Sequence, residues 1–205
     1  MSENLLKSLQ NVKWEVAFKT FGSNHSTLIG LLVDWWISTD SHGSRFVLDE
    51  GCTFRYHRKG KGSTRCDAVL LEGDSTKGIV KGIVEVEGSR HGETIEKMGK
   101  FFQAGSEWKT LEFGIFLAYP TFISGQKEKR NFYFGHCENK LFEMGQKISA
   151  KSPDKSLIIL ILEKKFERIN SGLRCKTEYY AGRPIKVYGK LFLNGKAIAE
   201  MTLKQ

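Results

Sequence analysis

Residues 78–87 read GIVKGIVEVE, and the way this segment is paired decides the fold. Successive side chains of a strand point to opposite faces. Lys81, Ile83, Glu85 and Glu87 are therefore predicted on one face, with Val80, Val84 and Val86 on the other. The preceding strand-like run, TRCDAVLL at 64–71, connects to it through GDSTKG at 73–78, which has the composition of a turn. A turn centred on Thr76 places Asp67 opposite Glu85, within about one residue. Two directly opposed carboxylates repel unless a cation lies between them. Magnesium suits such a place, because it takes hard oxygen ligands, needs only one or two protein carboxylates and keeps other positions for water and phosphate. The same alternation also describes a half-exposed strand whose Glu-Val-Glu stripe is simply solvated.

Working outward, residues 46–56 form a third strand-like run, which completes a meander. Upstream, residues 25–37 carry Leu28, Leu31, Leu32, Trp35 and Trp36 at helical spacing behind an N-cap at Ser23-Asn24. Residues 3–11 suggest a short amphipathic helix, and 12–21 a strand or extended arm. Downstream, Ile95, Met98, Phe101 and Phe102 mark a helix over about 93–104. FGIFLAY at 113–119 and LIILIL at 157–162 are apolar runs of the kind covered on both faces, with a helix over 138–149 between them. Each strand–helix–strand unit predicts a parallel, right-handed crossover. Asn194-Gly195, between two alternating runs, predicts a tight hairpin. The expected fold is α/β, with a central mixed β-sheet flanked by helices and a C-terminal β-hairpin.

A chain of 205 residues with 40% hydrophobic content suits one domain, 1–205. Its core spans about 24–162, and a β-rich extension covers about 163–205. The net charge of +9 and pI of about 9.3 favour polyanionic partners, or else describe a basic protein that binds no nucleic acid. Cys52, Cys66, Cys137 and Cys175 show no CxxC or Cys-His spacing, so neither a zinc site nor a disulfide framework is expected. Reduced thiols, the absence of a signal-peptide pattern and apolar runs too short for a bilayer point to a cytoplasmic protein with no membrane partner.

A helix, a meander with Asp on its second strand and Glu-x-Glu on its third, then a helix and a strand resembles the PD-(D/E)xK, restriction-endonuclease-like nuclease superfamily and its αβββαβ core. The matching segments are RCDAVLL at 65–71 and GIVEVEGSR at 82–90, and the resemblance covers roughly residues 24–119. It implies that Asp67, Glu85 and the Val86 carbonyl hold Mg²⁺, with Mn²⁺ able to substitute. The metal would polarise a phosphodiester and activate a water. It also implies DNA as substrate and a homodimer, since cutting both strands needs two sites. The family's usual lysine is replaced by Glu87, as in a Glu-x-Glu minority, where it would be a second ligand or a base. Lys81, on the same strand face, or Lys97 or Lys100, from the following helix, would otherwise supply the cation. An acid from the N-terminal helices often completes such sites, and Glu15, Asp34 and Glu50 are the candidates.

Arg55, Arg58, Lys59, Lys61 and Arg65 crowd the segment leading into Asp67, interleaved with glycines and Tyr56. Such a loop can follow a phosphate backbone, or can be a hydrated hairpin tip. Arg90 and His91, just past the motif strand, extend the same candidate surface. The five histidines lack HxxxH or HxH spacing, and no GxSxG, Walker A or GxGxxG pattern occurs. The expected function is a Mg²⁺-dependent DNA endonuclease, of restriction or repair/junction type. The alternatives are a non-catalytic nucleic-acid-binding protein on a degenerate nuclease fold, and a basic α/β protein with an unrelated role.

Overall fold

The computed structural model describes residues 2–19, 25–49, 66–73, 78–88, 90–103, 109–120, 138–169 and 179–205. Helices α1 (Ser2–Ser8), α2 (Trp14–Lys19) and α3 (His25–Ser38) precede strands β1 (Arg45–Asp49), β2 (Ala68–Glu72) and β3 (Ile79–Glu87). Helix α4 (His91–Gln103), β4 (Phe113–Ala118), α5 (Glu138–Ala150) and β5 (Ser156–Ile169) follow. β6 (Tyr179–Leu193) and β7 (Lys196–Lys204) complete the chain. No described helix is long and apolar enough to cross a membrane.

The strands form one seven-stranded mixed sheet in sequence order. β1–β2–β3 is an antiparallel meander; β3, β4 and β5 are parallel; β6 and β7 return antiparallel. This is the mixed α/β sheet expected from the apolar runs. Along β4, Phe113, Ile115 and Leu117 pack with the core under α1–α3, whereas Phe116 and Ala118 pack with the core under α4 and α5. Burial on both faces is why the run carries no polar alternation. The final hairpin turns through Asn194 (φ 48°) and Gly195 (φ 71°), the left-handed pair that a two-residue turn requires.

Three local expectations are revised. Residues 14–19 form helix α2 rather than a strand, because Trp14, Ala17 and Phe18 are buried at i, i+3 and i+4. β5 and β6 extend well beyond the predicted 157–162 run and hairpin. β3 also contains a bulge: Leu70 pairs with Gly82 but Leu71 with Val80, so Lys81 has no opposite residue. The bulge breaks the period of two. Val80 and Ile83 share the α4–α5 core, and Lys81 turns to the α3 side, beside Trp36 and Phe113. There its ammonium meets Glu112 and, at 3.6 Å, Glu72.

Candidate functional site

Asp67 sits one residue before β2, where its N–H donates to the Val84 carbonyl at 3.1 Å. Ala68 pairs with Val84, so continuing that register sets Asp67 opposite Glu85. Asp67 Oδ2 accepts the Val86 N–H at 2.7 Å and lies 3.2 Å from His25 Nε2 at the start of α3. Backbone groups of alternate strand residues point to alternate neighbours. Val86 therefore turns its carbonyl, like its N–H, toward the Asp67 side.

Glu85 is only 2% exposed. Burial first, and the neighbouring Asp67 charge second, push its carboxyl up to about 8, against the opposing pull of the Lys97 cation. Lys97, on α4, places its ammonium 3.2 Å from Glu85 Oε1. The ammonium is thus the cation that faces this buried oxygen. A buried carboxyl beside a second carboxylate is costly to ionise unless cations offset the charge.

Glu87 is engaged differently. Its Oε1 accepts the Arg90 N–H at 3.1 Å and its Oε2 the Thr94 hydroxyl at 2.8 Å, so the side chain fastens the first turn of α4. The Glu87 carbonyl accepts the Tyr119 N–H at 3.0 Å. Burial, then the Glu87 and Asp67 charges, raise the Tyr119 phenol above its ordinary range. Lys164 of β5 lies 4.7 Å from the Tyr119 ring centre, and burial lowers its ammonium to about 8. Cys66, next to Asp67, is raised to about 12 by burial, which makes it an inert thiol.

The residues singled out from the sequence thus separate. Asp67, Glu85, Val86 and Glu87 gather at the C-terminal end of β3. Lys81 lies on the opposite face of the sheet and is not part of the group. Lys97 reaches Glu85, whereas Lys100, three residues on, is exposed. Arg90 is exposed, but His91, expected on the same surface, is 4% exposed with Nε2 3.2 Å from the Tyr119 carbonyl. Asp34 pairs with Lys13 at 3.0 Å and Glu15 is exposed. Arg55, Arg58, Lys59, Lys61, Arg65 and Glu50 lie outside the described residues. Sequence reasoning missed His25 and Thr94, because their partners are distant in sequence or engaged through a cap.

Among the described residues, no three His, Cys, Asp or Glu side chains cluster closely enough to hold a metal by themselves. Two carboxylates with a backbone carbonyl and water remain a sufficient set for magnesium, which retains much of its hydration. The buried Glu85 carboxyl, close enough to Asp67 for the two charges to repel, fits that set. A separate cleft of about 700 Å³, lined by Trp36, Arg45, Glu72, Lys81 and Glu112, lies at the other end of the sheet, by the starts of β4 and β5. Comparison with known proteins gives no match to a family model, a curated protein or a solved structure.

Proposed function

We propose that this chain is a Mg²⁺-dependent DNA endonuclease with a restriction-endonuclease-like core, acting as a homodimer. The observation that carries the reading is the buried Glu85 carboxyl set against Asp67, with the Lys97 ammonium 3.2 Å away. The order α3–β1–β2–β3–α4–β4 supports it, since this is the αβββαβ sequence of elements in that superfamily. So does the site's place at the carboxyl ends of parallel strands, where open α/β sheets bind ligands.

In this reading Asp67, Glu85 and the Val86 carbonyl hold the metal. When bound, it supplies Lewis-acid polarisation of a phosphodiester. Asp67 is oriented by the Val86 N–H and by His25. Lys97 takes the place of the motif lysine and offsets the negative charge that builds on the phosphoryl oxygens. Glu87 positions α4, and therefore Lys97, through Arg90 and Thr94 rather than binding the metal. The net charge of +9 favours a phosphate backbone as substrate.

The test is incubation with supercoiled plasmid in Mg²⁺, Mn²⁺ or EDTA. Wild type should nick or linearise it only with metal, and folded Asp67→Ala should not cut. Equal turnover by Asp67→Ala would sink the assignment. Metal-independent duplex binding without cutting would instead leave the non-catalytic nucleic-acid-binding reading.

A further inference from the structure

Tyr119 directly follows the last residue of β4, at the end of the sheet that carries the carboxylates. In the parallel register Ala118 lies beside Glu87. The next backbone N–H, that of Tyr119, donates to the Glu87 carbonyl at 3.0 Å. The Tyr119 carbonyl in turn lies 3.2 Å from His91 Nε2 at the start of α4. The backbone at this position is thus tied to β3 and to α4 at once.

The side chain is held by packing. Its ring joins the core under α1–α3, and the Lys164 ammonium stands over it, 4.7 Å from the ring centre. Only 7% of the residue is exposed. A buried tyrosine ordinarily gives its hydroxyl a hydrogen-bond partner, yet among the described residues the Tyr119 hydroxyl has none. Nor is that oxygen sealed from solvent. After burial, the Glu87 and Asp67 carboxylates are what raise the phenol above its ordinary range. The hydroxyl therefore keeps its proton and remains a neutral donor close to both acids. Such a donor has a specific use here. A phosphodiester held at Asp67 and Glu85 brings negative charge to an acidic site, and a hydroxyl binds one of its oxygens without adding charge of either sign. Tyrosine is among the side chains that make phosphate contacts on DNA.

We propose that the Tyr119 hydroxyl donates a hydrogen bond to a non-bridging oxygen of the DNA phosphate held at Asp67 and Glu85, and so positions that phosphate for attack. The inference rests on the nuclease reading for the place of the phosphate. Tyr119 is a substrate-positioning residue in this arrangement, with its direction set by the core beneath it and by the backbone ties to Glu87 and His91.

The experiment is fluorescence anisotropy of a labelled duplex with Ca²⁺ in place of Mg²⁺, between about 50 and 200 mM salt. The full chain is compared with Tyr119→Phe, which keeps the ring beneath Lys164 and removes only the hydroxyl. Plasmid cutting by wild type, Tyr119→Phe and Asp67→Ala, and melting in EDTA, are measured in parallel. A hydrogen bond to a charged oxygen is worth about tenfold in affinity or more. Tyr119→Phe should therefore bind about tenfold more weakly and cut with a correspondingly lower kcat/KM. Because the hydroxyl carries no charge, its loss should leave the slope of log affinity against log salt at the wild-type value. An unchanged affinity overturns the contact. A loss accompanied by a changed slope or a lower melting temperature also overturns it, since displaced charges or weakened packing then account for the effect. Asp67-dependent cutting with unchanged Tyr119→Phe affinity removes the contact and keeps the nuclease. Tenfold weaker binding at the wild-type slope, without Asp67-dependent cutting, does the reverse. No duplex binding by wild type overturns both.

Discussion

Glu85 has the most consequential environment of any single residue in the site. Folding raises its carboxyl from 4.5 to about 8, so in that interval the folded protein binds a proton that the unfolded chain has released. Stability from this group is complete at low pH and declines as pH rises toward 8. His91, held below its ordinary value by burial, acts in the opposite sense below pH 6.5, which makes a comparison between variants the informative one. In EDTA, Glu85→Gln should gain thermal stability relative to wild type as pH rises from about 6.5 to 8, by about 2–4 °C for each kcal/mol. Parallel melting curves would contradict the buried, proton-holding state. Adding Mg²⁺ or Mn²⁺ at pH 8 should raise the melting temperature of wild type and leave Asp67→Ala unmoved. Lys97→Ala should reduce cleavage by roughly a hundredfold or more, as expected for a lost group that stabilises transition-state charge. Lys97→Arg should recover part of that loss, and Lys100→Ala should have little effect.

At the scale of elements, close approach between strands and helices limits substitution. A Cβ at Gly189 of β6 would stand 2.1 Å from the Ile159 carbonyl oxygen of β5, which is backbone and cannot rotate away. Gly189→Ala should destabilise the chain by about 1–3 kcal/mol, at the upper end because the clash is with backbone. Gly30, exposed in the middle of α3, meets nothing within 4 Å. Gly30→Ala should therefore stabilise by about 0.8–1 kcal/mol, the helix-propensity difference. Chemical denaturation of the two variants checks both signs. The bulge in β3 is the element-scale feature with functional weight, because it separates Lys81 from Glu85. Lys81→Ala should weaken the contacts with Glu72 and Glu112 while leaving metal-dependent melting shifts unchanged. A lost shift would mean that Lys81 acts at the carboxylate site.

Across the whole molecule, one continuous sheet divides two cores and concentrates the candidate chemistry at one end. Asp67, Glu85, Glu87, Tyr119 and Lys164 come from four segments that meet where β3 and β4 stop and β5 continues. With a net charge of +9, duplex binding should weaken steeply between low and physiological salt, through counterion release. A flat salt response would argue against a phosphate-backbone partner altogether. The proposed homodimer predicts a mass near twice 23.3 kDa in light scattering, at the concentrations where both strands are cut.

Local patterns in the sequence determined much of this architecture. The unbroken apolar runs at 113–119 and 157–162 specify strands buried on both faces, and the spacing of Leu28, Leu31, Leu32, Trp35 and Trp36 specifies the inward face of α3. Turn placement put Asp67 opposite Glu85 only to within about one residue: the register beside the turn points Asp67 at Val84, and the bulge at Lys81 supplies the shift to Glu85. The helical nature of residues 14–19 was masked by the β-branched and aromatic residues around Trp14 and Phe18. Tertiary structure alone decided which lysine reaches Glu85, since Lys97 and Lys100 are separated by less than a turn and only the packing of α4 orients them. It also decided that Glu87 fastens α4, that His25 meets Asp67 from 42 residues away, and that Lys81 is diverted by a bulge. Periodicity records which face of an element is buried. It does not record how one element is rotated against another, and that rotation determines which side chains meet in the site.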